Sequence, residues 1–364
     1  MEQLGSVVRV SDTVGSRRGE LLAIKLRALV SDHLGTPIVA EPGGFANGAA
    51  LVVGARAWVL VDGDAERSLG QALAWAIRHG ATSLDLIAGT HTGLLARRAE
   101  RFSFPIAVWY PVERTLLPAV AEPLPAPPAA PAAHLAVRSV IDAAGATLTV
   151  EHGVVTGEVH GLEVCRVVDS PTSGYFDEPD GGEPISAMSR TTNDGEPGDD
   201  PGGVIVEVGV GAPDREAFRI IHGDLPTVSA LADVVATVAG LRTPGAAPHP
   251  LNRLAQERLL RWRLQEEPSL VGLRHVEPAE PPLPRPGLNE VVPCVAEGID
   301  GDGERRTLVC SVGVDLDLIP FVADVQAVTD DPIVVVVPTR DLMSITRELA
   351  ALLNDPVTFA TVDP

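Results

Sequence analysis

The stretch that decides the fold is WVLVDGDAERSLGQALAWA, which runs from Trp58 to Ala76. It begins as an apolar run typical of a buried strand, breaks on two aspartates, and resumes with apolar residues three and four positions apart. This spacing places Leu69, Leu73 and Ile77 on one face of a helix. The stretch therefore predicts a strand, a turn and a helix in succession, which is the repeating unit of an α/β protein.

The segments on either side of this unit complete a domain over residues 1–120. Before it, Ser16 is expected to cap a helix through LLAIKLRALV, and the strands AALVVG and AWVLV are expected to form a hairpin at Gly54. After it come a strand in LDLIA, a helix in LLARRAERF and a strand in PIAVWY. This order predicts a mixed sheet with helices on its faces.

Shifts in composition divide the rest of the chain. Residues 121–133 are rich in proline and alanine and predict a semi-rigid linker. Residues 134–245 predict a smaller α+β module, in which residues 169–203 carry nine acidic residues and one arginine. Such a polar, acidic segment is expected to form a mobile loop between two strands. Residues 246–364 return to alternating strands and helices.

The C-terminal segment is expected to begin with an amphipathic helix, as the first domain does, and then to repeat the later element order of that domain. The interval from Trp58 to Leu84 is 26 residues, and the interval from Leu308 to Ile333 is 25. A degenerate duplication and a chance similarity of α/β crossovers both account for this match. The predicted fold class is α/β, with two α/β modules of mixed sheets flanked by helices at the ends and the α+β module between them.

The charge is unevenly distributed along the chain. The whole protein has a formal net charge of -21, whereas residues 1–120 contain 12 Lys and Arg against 11 Asp and Glu. Because affinity for phosphates comes mostly from clustered Lys and Arg, any contact with nucleic acid is expected through the N-terminal domain.

The cysteines and the hydropathy pattern indicate a cytoplasmic protein. Cys165, Cys294 and Cys310 are odd in number and far apart, which argues against a disulfide framework and a zinc site. No apolar run approaches the roughly 20 residues that span a bilayer. We therefore expect a reduced protein without membrane association.

The predicted elements are, in order, a helix with a glutamate, a hairpin, and then a helix, a strand, a helix and a strand. This order resembles the core of the PD-(D/E)XK restriction-endonuclease-like superfamily. The resemblance covers residues 17–110 and includes the text GAALVVGARAWVLVDGDAER. In that superfamily a helix glutamate, a hairpin aspartate and the acid of an acid-x-Lys motif hold a divalent metal, and the lysine orients the attacking water. The resemblance implies Glu20 and Asp62 as metal ligands for Mg²⁺ or Mn²⁺, with Asp64 or Glu66 as a further catalytic acid.

The sequence departs from the catalytic pattern at two positions. The expected hairpin aspartate falls on Ala49 or Ala50, and the expected lysine falls on Asp64. These changes favour a degenerate site without a cofactor. A second interpretation makes Asp62 and Asp64 part of a strand-to-helix turn in which an aspartate caps the helix.

Two functions follow from these alternatives. The first is a non-catalytic binding or scaffolding protein with a protein partner, and the second is a metal-dependent nuclease or phosphodiesterase that uses Glu20, Asp62 and Asp64. Nucleic acid or an acidic partner would contact a basic patch. The patch consists of Arg17, Arg18, Arg97, Arg98 and Arg101.

Overall fold

The computed structural model describes residues 8–46, 48–170, 203–222, 227–243, 245–285, 287 and 291–363. These residues form a mixed α/β protein with three sheets in the described part of the chain. They divide into two compact units, one built from the residues up to Pro127 together with those from Leu254 onward, and the other from Pro128–Arg253. None of the described helices combines the length and the apolar composition needed to cross a membrane.

The N-terminal module of the first unit contains three helices and six strands. Its elements are α1 (Val8–Leu34), β1 (Gly43–Phe45), β2 (Gly48–Val53), β3 (Arg56–Val61), α2 (Leu69–Arg78), β4 (Ser83–Ile87), α3 (Thr92–Ala99), β5 (Ile106–Val112) and β6 (Thr115–Pro118). The strands are ordered β1-β2-β3-β4-β5-β6. Strands β3, β4 and β5 are parallel, and the outer pairs are antiparallel.

The second unit is an antiparallel sheet with helices. Its elements are α4 (Ala132–Leu135), α5 (Arg138–Ala143), β7 (Thr147–Glu151), β8 (Val154–Val159), β9 (Leu162–Asp169), β10 (Val204–Val208), α6 (Gly211–His222) and α7 (Thr227–Leu241). The strand order is β10-β9-β8-β7. Strands β9 and β10 pair through Asp169 and Val204, so the acidic segment does connect two neighbouring strands. Residues 171–202 of the predicted mobile loop lie outside the described residues.

The C-terminal module belongs to the first unit. Its elements are α8 (Gln256–Glu266), β11 (Leu273–Ala279), β12 (Cys294–Asp300), β13 (Arg305–Cys310), α9 (Leu318–Val325), β14 (Ile333–Val337), α10 (Ser344–Ala350) and β15 (Thr358–Thr361). The strand order is β11-β12-β13-β14-β15, with two antiparallel pairs followed by two parallel pairs.

The two modules have the same topology from their first helix to their fifth strand. Each has a helix, three antiparallel strands and two parallel crossovers, and the loops after β3 and β13 both contain a glycine with positive φ, Gly63 and Gly313. A glycine there permits a backbone conformation that other residues rarely adopt. The repeated element order is thus present in the fold, whereas a common origin of the modules stays a prediction.

The two α/β modules share one apolar core instead of forming separate domains. Leu69 and Leu73 of α2 are fully buried in one cluster with Ile319 and Val322 of α9 and Leu349 of α10. A single core explains why residues 1–120 and 254–364, which lie far apart in the sequence, belong to one compact unit. The boundaries of the intervening unit are Pro128 and Arg253, slightly outside the expected 134–245.

Several local expectations need correction. Helix α1 begins at Val8 and continues through Ser16, so the predicted cap at Ser16 was wrong. The apolar residues of TLTVEHGVV predict a single strand, but the segment is a hairpin of β7 and β8 that turns at His152 and Gly153. Strands β11 and β12 were not predicted; the proline-rich segment EPAEPPLPRPG at 277–287 overlaps the end of β11 and precedes β12, and prolines are rare within strands.

Candidate site between the turns after β3 and β13

The predicted metal ligands lie on α1 and at the end of β3 in the N-terminal module. Asp62 directly follows β3, and its Oδ2 accepts a hydrogen bond from Arg18 Nε of α1 at 2.7 Å. Glu20 is exposed on the same helix. Among the described residues, no group of three or more His, Cys, Asp or Glu side chains is arranged to hold a metal ion. The metal role of Glu20 and Asp62 therefore stays a prediction that depends on the family resemblance alone.

Neither aspartate is the N-cap residue of α2. That position belongs to Ser68, whose hydroxyl donates to the carbonyl oxygen of Ala65 at 2.7 Å instead of accepting from the helix. The segment is a strand-to-helix turn, as predicted, but the predicted cap was wrong. Asp62 is engaged with Arg18, and Asp64 is exposed.

The helix receives its acceptor from the other module. Asp317, at the start of α9, accepts a hydrogen bond from the backbone N–H of Gly70 through Oδ1 at 3.0 Å. Gly70 is the second residue of α2, where the N–H has no partner within the helix. A carboxylate at this end also interacts favourably with the helix dipole. The first turn of α2 is thus completed by a residue 247 positions later in the chain.

The second oxygen of Asp317 is less well satisfied. The residue is only 8% exposed, and Oδ2 has no hydrogen-bond partner in the described structure. Burial is the largest cause that raises the pKa of this carboxyl to about 6, and Asp315 also raises it. Arg98, the Gly70 N–H and Arg67 lower the pKa and so oppose this shift. Ionised Asp317 is therefore a buried charge with incomplete compensation.

Beside Asp317, an ion pair joins the two turns. Arg67 Nη2 lies 2.6 Å from Asp315 Oδ2, and Arg67 Nη1 donates to the carbonyl oxygen of Val291 at 2.9 Å. Asp315 Oδ1 in turn accepts from the backbone N–H of Asp317 at 2.9 Å. Arg67 and Asp315 therefore hold the two turns together from opposite modules.

A second, fully buried ion pair contradicts part of the predicted basic patch. Asp324 of α9 is 0% exposed, and its Oδ2 accepts from Arg98 Nε at 2.7 Å. Its Oδ1 accepts from Arg97 Nη2 at 3.1 Å. Arg98 is 4% exposed and so belongs to the interior between modules, while Arg17 and Arg18 are exposed. Helix α3 packs against α9, which is the reason its arginines are not a solvated basic face.

Arg67, Arg98, Asp315 and Asp317 line a cavity of ≈ 120 Å³ in the first unit. One part of its lining is charged and comes from the two turns and α3. The charged residues are Asp64, Glu66, Arg67, Arg98, Asp315 and Asp317. The other part is apolar and comes from α9 and the segment before β12. The apolar residues are Leu283, Pro284, Val291, Val292, Pro293 and Phe321.

The sequence named Asp64 and Glu66 as candidate catalytic acids, and both line this cavity, whereas Asp315, Asp317 and Asp324 were given no role. A partial signal was present, because Asp315 and Asp317 have the same two-residue spacing as Asp62 and Asp64, although Asp62 directly follows β3 and Asp315 lies further beyond the end of β13. No family model matches the chain, and neither a curated protein nor a solved structure matches it. The assignment of the site therefore depends on its geometry.

Asp317→Asn is expected to stabilise the protein at pH 8. The folded-state pKa is raised above the ordinary value of 3.8, so the native state binds more protons than the unfolded state between about pH 4 and 6. The stability that wild type has when Asp317 is protonated is lost as the pH rises through this window. Asparagine keeps an oxygen for the Gly70 N–H but carries no charge, and we expect a gain of about 2 kcal/mol at pH 8.

Urea unfolding followed by tryptophan fluorescence measures this effect. All four tryptophans, at positions 58, 75, 109 and 262, lie in the first unit, so the signal reports on the unit that contains Asp317. The gain should disappear at pH 4. Asp62→Asn is the matched control, because its exposed ion pair with Arg18 contributes little. A loss of stability at pH 8 would contradict the interpretation.

Proposed function

We propose that this protein is a non-catalytic binding or scaffolding protein with a restriction-endonuclease-like order of elements, and that it binds a protein partner. The observation that carries the proposal is the use of both strand ends for packing between modules. In α/β sheets, ligands usually bind beyond the carboxyl ends of the parallel strands. Here the turns after β3 and β13 contact each other through Arg67 with Asp315 and through Gly70 with Asp317.

The state of the predicted catalytic residues also supports a role without cleavage. Asp62 is paired with Arg18, and the position that needs a lysine holds Asp64. An acid in place of the lysine adds negative charge where the superfamily pattern has a cation to orient water. Phosphodiester cleavage by this turn would lack that cation.

The outer face of α1 is the surface we propose for the partner. Leu21 and Ile24 are 65% and 63% exposed, and Ala28 follows one turn later on the same face. The opposite face of α1 buries Leu26 and Leu29 against the sheet. Neighbouring large apolar side chains that remain exposed are typical of interaction sites.

The charge around this apolar stripe indicates the chemistry of the partner. Arg17 and Lys25 are exposed beside Leu21 and Ile24, and Glu20 is an exposed carboxylate in the same segment of the helix, so these charged groups are two cations and one anion. An open groove follows the helix toward the segment 35–38. The partner that fits is an amphipathic helix with an apolar face and acidic flanks, because such helices bind grooves through residues three and four positions apart.

Site-specific photo-cross-linking in the native host tests this proposal. A benzoylphenylalanine at position 21 should give one discrete protein adduct, and adding Ile24→Asp should abolish it. The matched control carries the probe at Glu304, an exposed position in the turn before β13. Adducts of equal yield at positions 21 and 304, or none at position 21, would refute the proposed surface.

A cleavage assay tests the catalytic alternative separately. The purified full chain is incubated with plasmid DNA and Mn²⁺, beside Asp62→Ala. We expect no cleavage by either protein. Cleavage by the wild type that is lost in Asp62→Ala would make the nuclease the correct function.

A further inference from the structure

The cavity between the turns has an acceptor that finds no partner among the described residues. Asp317 lines it, is more than nine-tenths buried, and has no hydrogen bond to Oδ2 among the described residues. Leaving a buried acceptor unpaired costs free energy, and the cost is higher for a charged group. A ligand with a positively charged donor would compensate this cost.

The cations that line the cavity are already engaged. Arg67 binds Asp315 and the Val291 carbonyl oxygen, and Arg98 binds Asp324 and the Glu66 carbonyl oxygen at 2.6 Å. Four carboxylates and two guanidinium groups line the cavity, which gives the lining a net negative charge. An anionic ligand would therefore meet excess negative charge, whereas a cation would find acceptors.

The shape of the lining distinguishes an organic cation from a metal ion. No group of three or more ligating side chains among the described residues is arranged for a metal. One wall is apolar and includes Leu283, Val292 and Phe321. A charged end and an apolar wall in one cavity match a ligand with a cationic head on an aliphatic stem.

We propose that this cavity binds a primary ammonium group on a short aliphatic chain, with Asp317 as its charged acceptor. The ammonium group donates to Asp317 Oδ2, and the aliphatic stem packs on the apolar wall. This site is distinct from the proposed partner surface on α1. The same chemistry is offered by a free alkylamine and by a lysine side chain of a protein.

Titration of n-butylammonium chloride into the ¹⁵N-labelled full chain at pH 8 tests the proposal, with sodium chloride at equal concentration as the salt control. The Gly70 amide is the reporter, because its N–H is hydrogen-bonded to Asp317. We expect a saturable shift of this signal. Asp317→Asn should weaken binding about tenfold, since it removes a charge-assisted hydrogen bond. Asp62→Asn should leave the affinity unchanged.

Neutral n-butanol has the same chain length and should cause no saturable shift. The proposal is overturned by the absence of a saturable shift with n-butylammonium, by equal binding of n-butanol, or by equal binding to Asp317→Asn. Because this asparagine variant keeps the acceptor for Gly70 and is expected to be more stable than wild type, its folding does not limit the test.

A parallel titration with Nα-acetyl-lysine methylamide distinguishes the two sources of the ammonium group. Tighter binding of the lysine derivative than of n-butylammonium supports a lysine of a protein as the ligand. Tighter binding of n-butylammonium supports a free amine. Failure of both compounds to bind refutes the site.

Discussion

Asp324→Ala is expected to destabilise the first unit by about 3–5 kcal/mol, because it leaves two arginines without their buried counter-ion. Asp324 is fully buried and binds both Arg97 and Arg98. Arg98 is itself buried, so its charge cannot turn to water without opening the contact between α3 and α9. The loss should appear as a lower midpoint of urea unfolding in tryptophan fluorescence.

An exposed ion pair of the same unit supplies the control for this variant. Asp32 accepts hydrogen bonds from Arg114 at 2.6 and 3.0 Å, but the Arg114 side chain is 76% exposed. Asp32→Ala should change the midpoint little. Asp324→Asn, which keeps the volume and one acceptor, should fall between these two variants. An equal effect of Asp324→Ala and Asp32→Ala would show that the buried pair does not hold the modules together.

The core elements of the fold were predictable from periodicity. Apolar runs and helical stripes identified β2, β3, α2 and the two crossovers, because these elements bury one face or both faces. The missed strands β11 and β12 illustrate the limit. Pro278 lies within β11, and a proline favours a loop assignment unless its partner strand is known.

The contacts of the candidate site depend on packing that a local pattern does not contain. LLARRAERF has the composition of a solvated helix face, yet Arg98 meets Asp324, which is 226 positions later. The aspartates directly after β3 predicted a cap for α2 from within the same turn, whereas the acceptor for the Gly70 N–H is Asp317. Likewise, Cys294 and Cys310 are distant in sequence but are register partners on β12 and β13, where both are buried and neither forms a disulfide bond. In each case the second partner comes from another element, and only the tertiary fold identifies it.

The charged groups between the modules have different consequences for stability. Asp324 is satisfied by two arginines, so its removal is expected to cost stability. Asp317 has one oxygen without a hydrogen-bond partner among the described residues, so its neutralisation is expected to increase stability. A buried charge that is retained although it destabilises the folded protein is typical of a functional site, where a ligand supplies the missing compensation.

Gly70→Ala should separate the turns that these charges join, with an expected loss of about 3 kcal/mol in urea unfolding. A Cβ at Gly70 would lie 2.0 Å from the carbonyl oxygen of Leu316 and 2.5 Å from its carbonyl carbon. Both are backbone atoms, so the clash cannot be relieved by rotating a side chain. The movement also breaks the hydrogen bond to Asp317, and these losses exceed the gain of about 1 kcal/mol that alanine gives within a helix.

Gly19→Ala provides the matched control for this prediction. Gly19 also lies within a helix of the first unit, but a Cβ there would meet nothing within 4 Å. Only the helix preference of alanine then applies, and we expect a gain of up to about 1 kcal/mol. If Gly70→Ala lowers the free energy of unfolding and Gly19→Ala raises it, the close approach of the turns is the cause of the loss at Gly70. If Gly70→Ala instead stabilises the protein as Gly19→Ala does, the turns are not in the tight contact that the cavity and its carboxylates require.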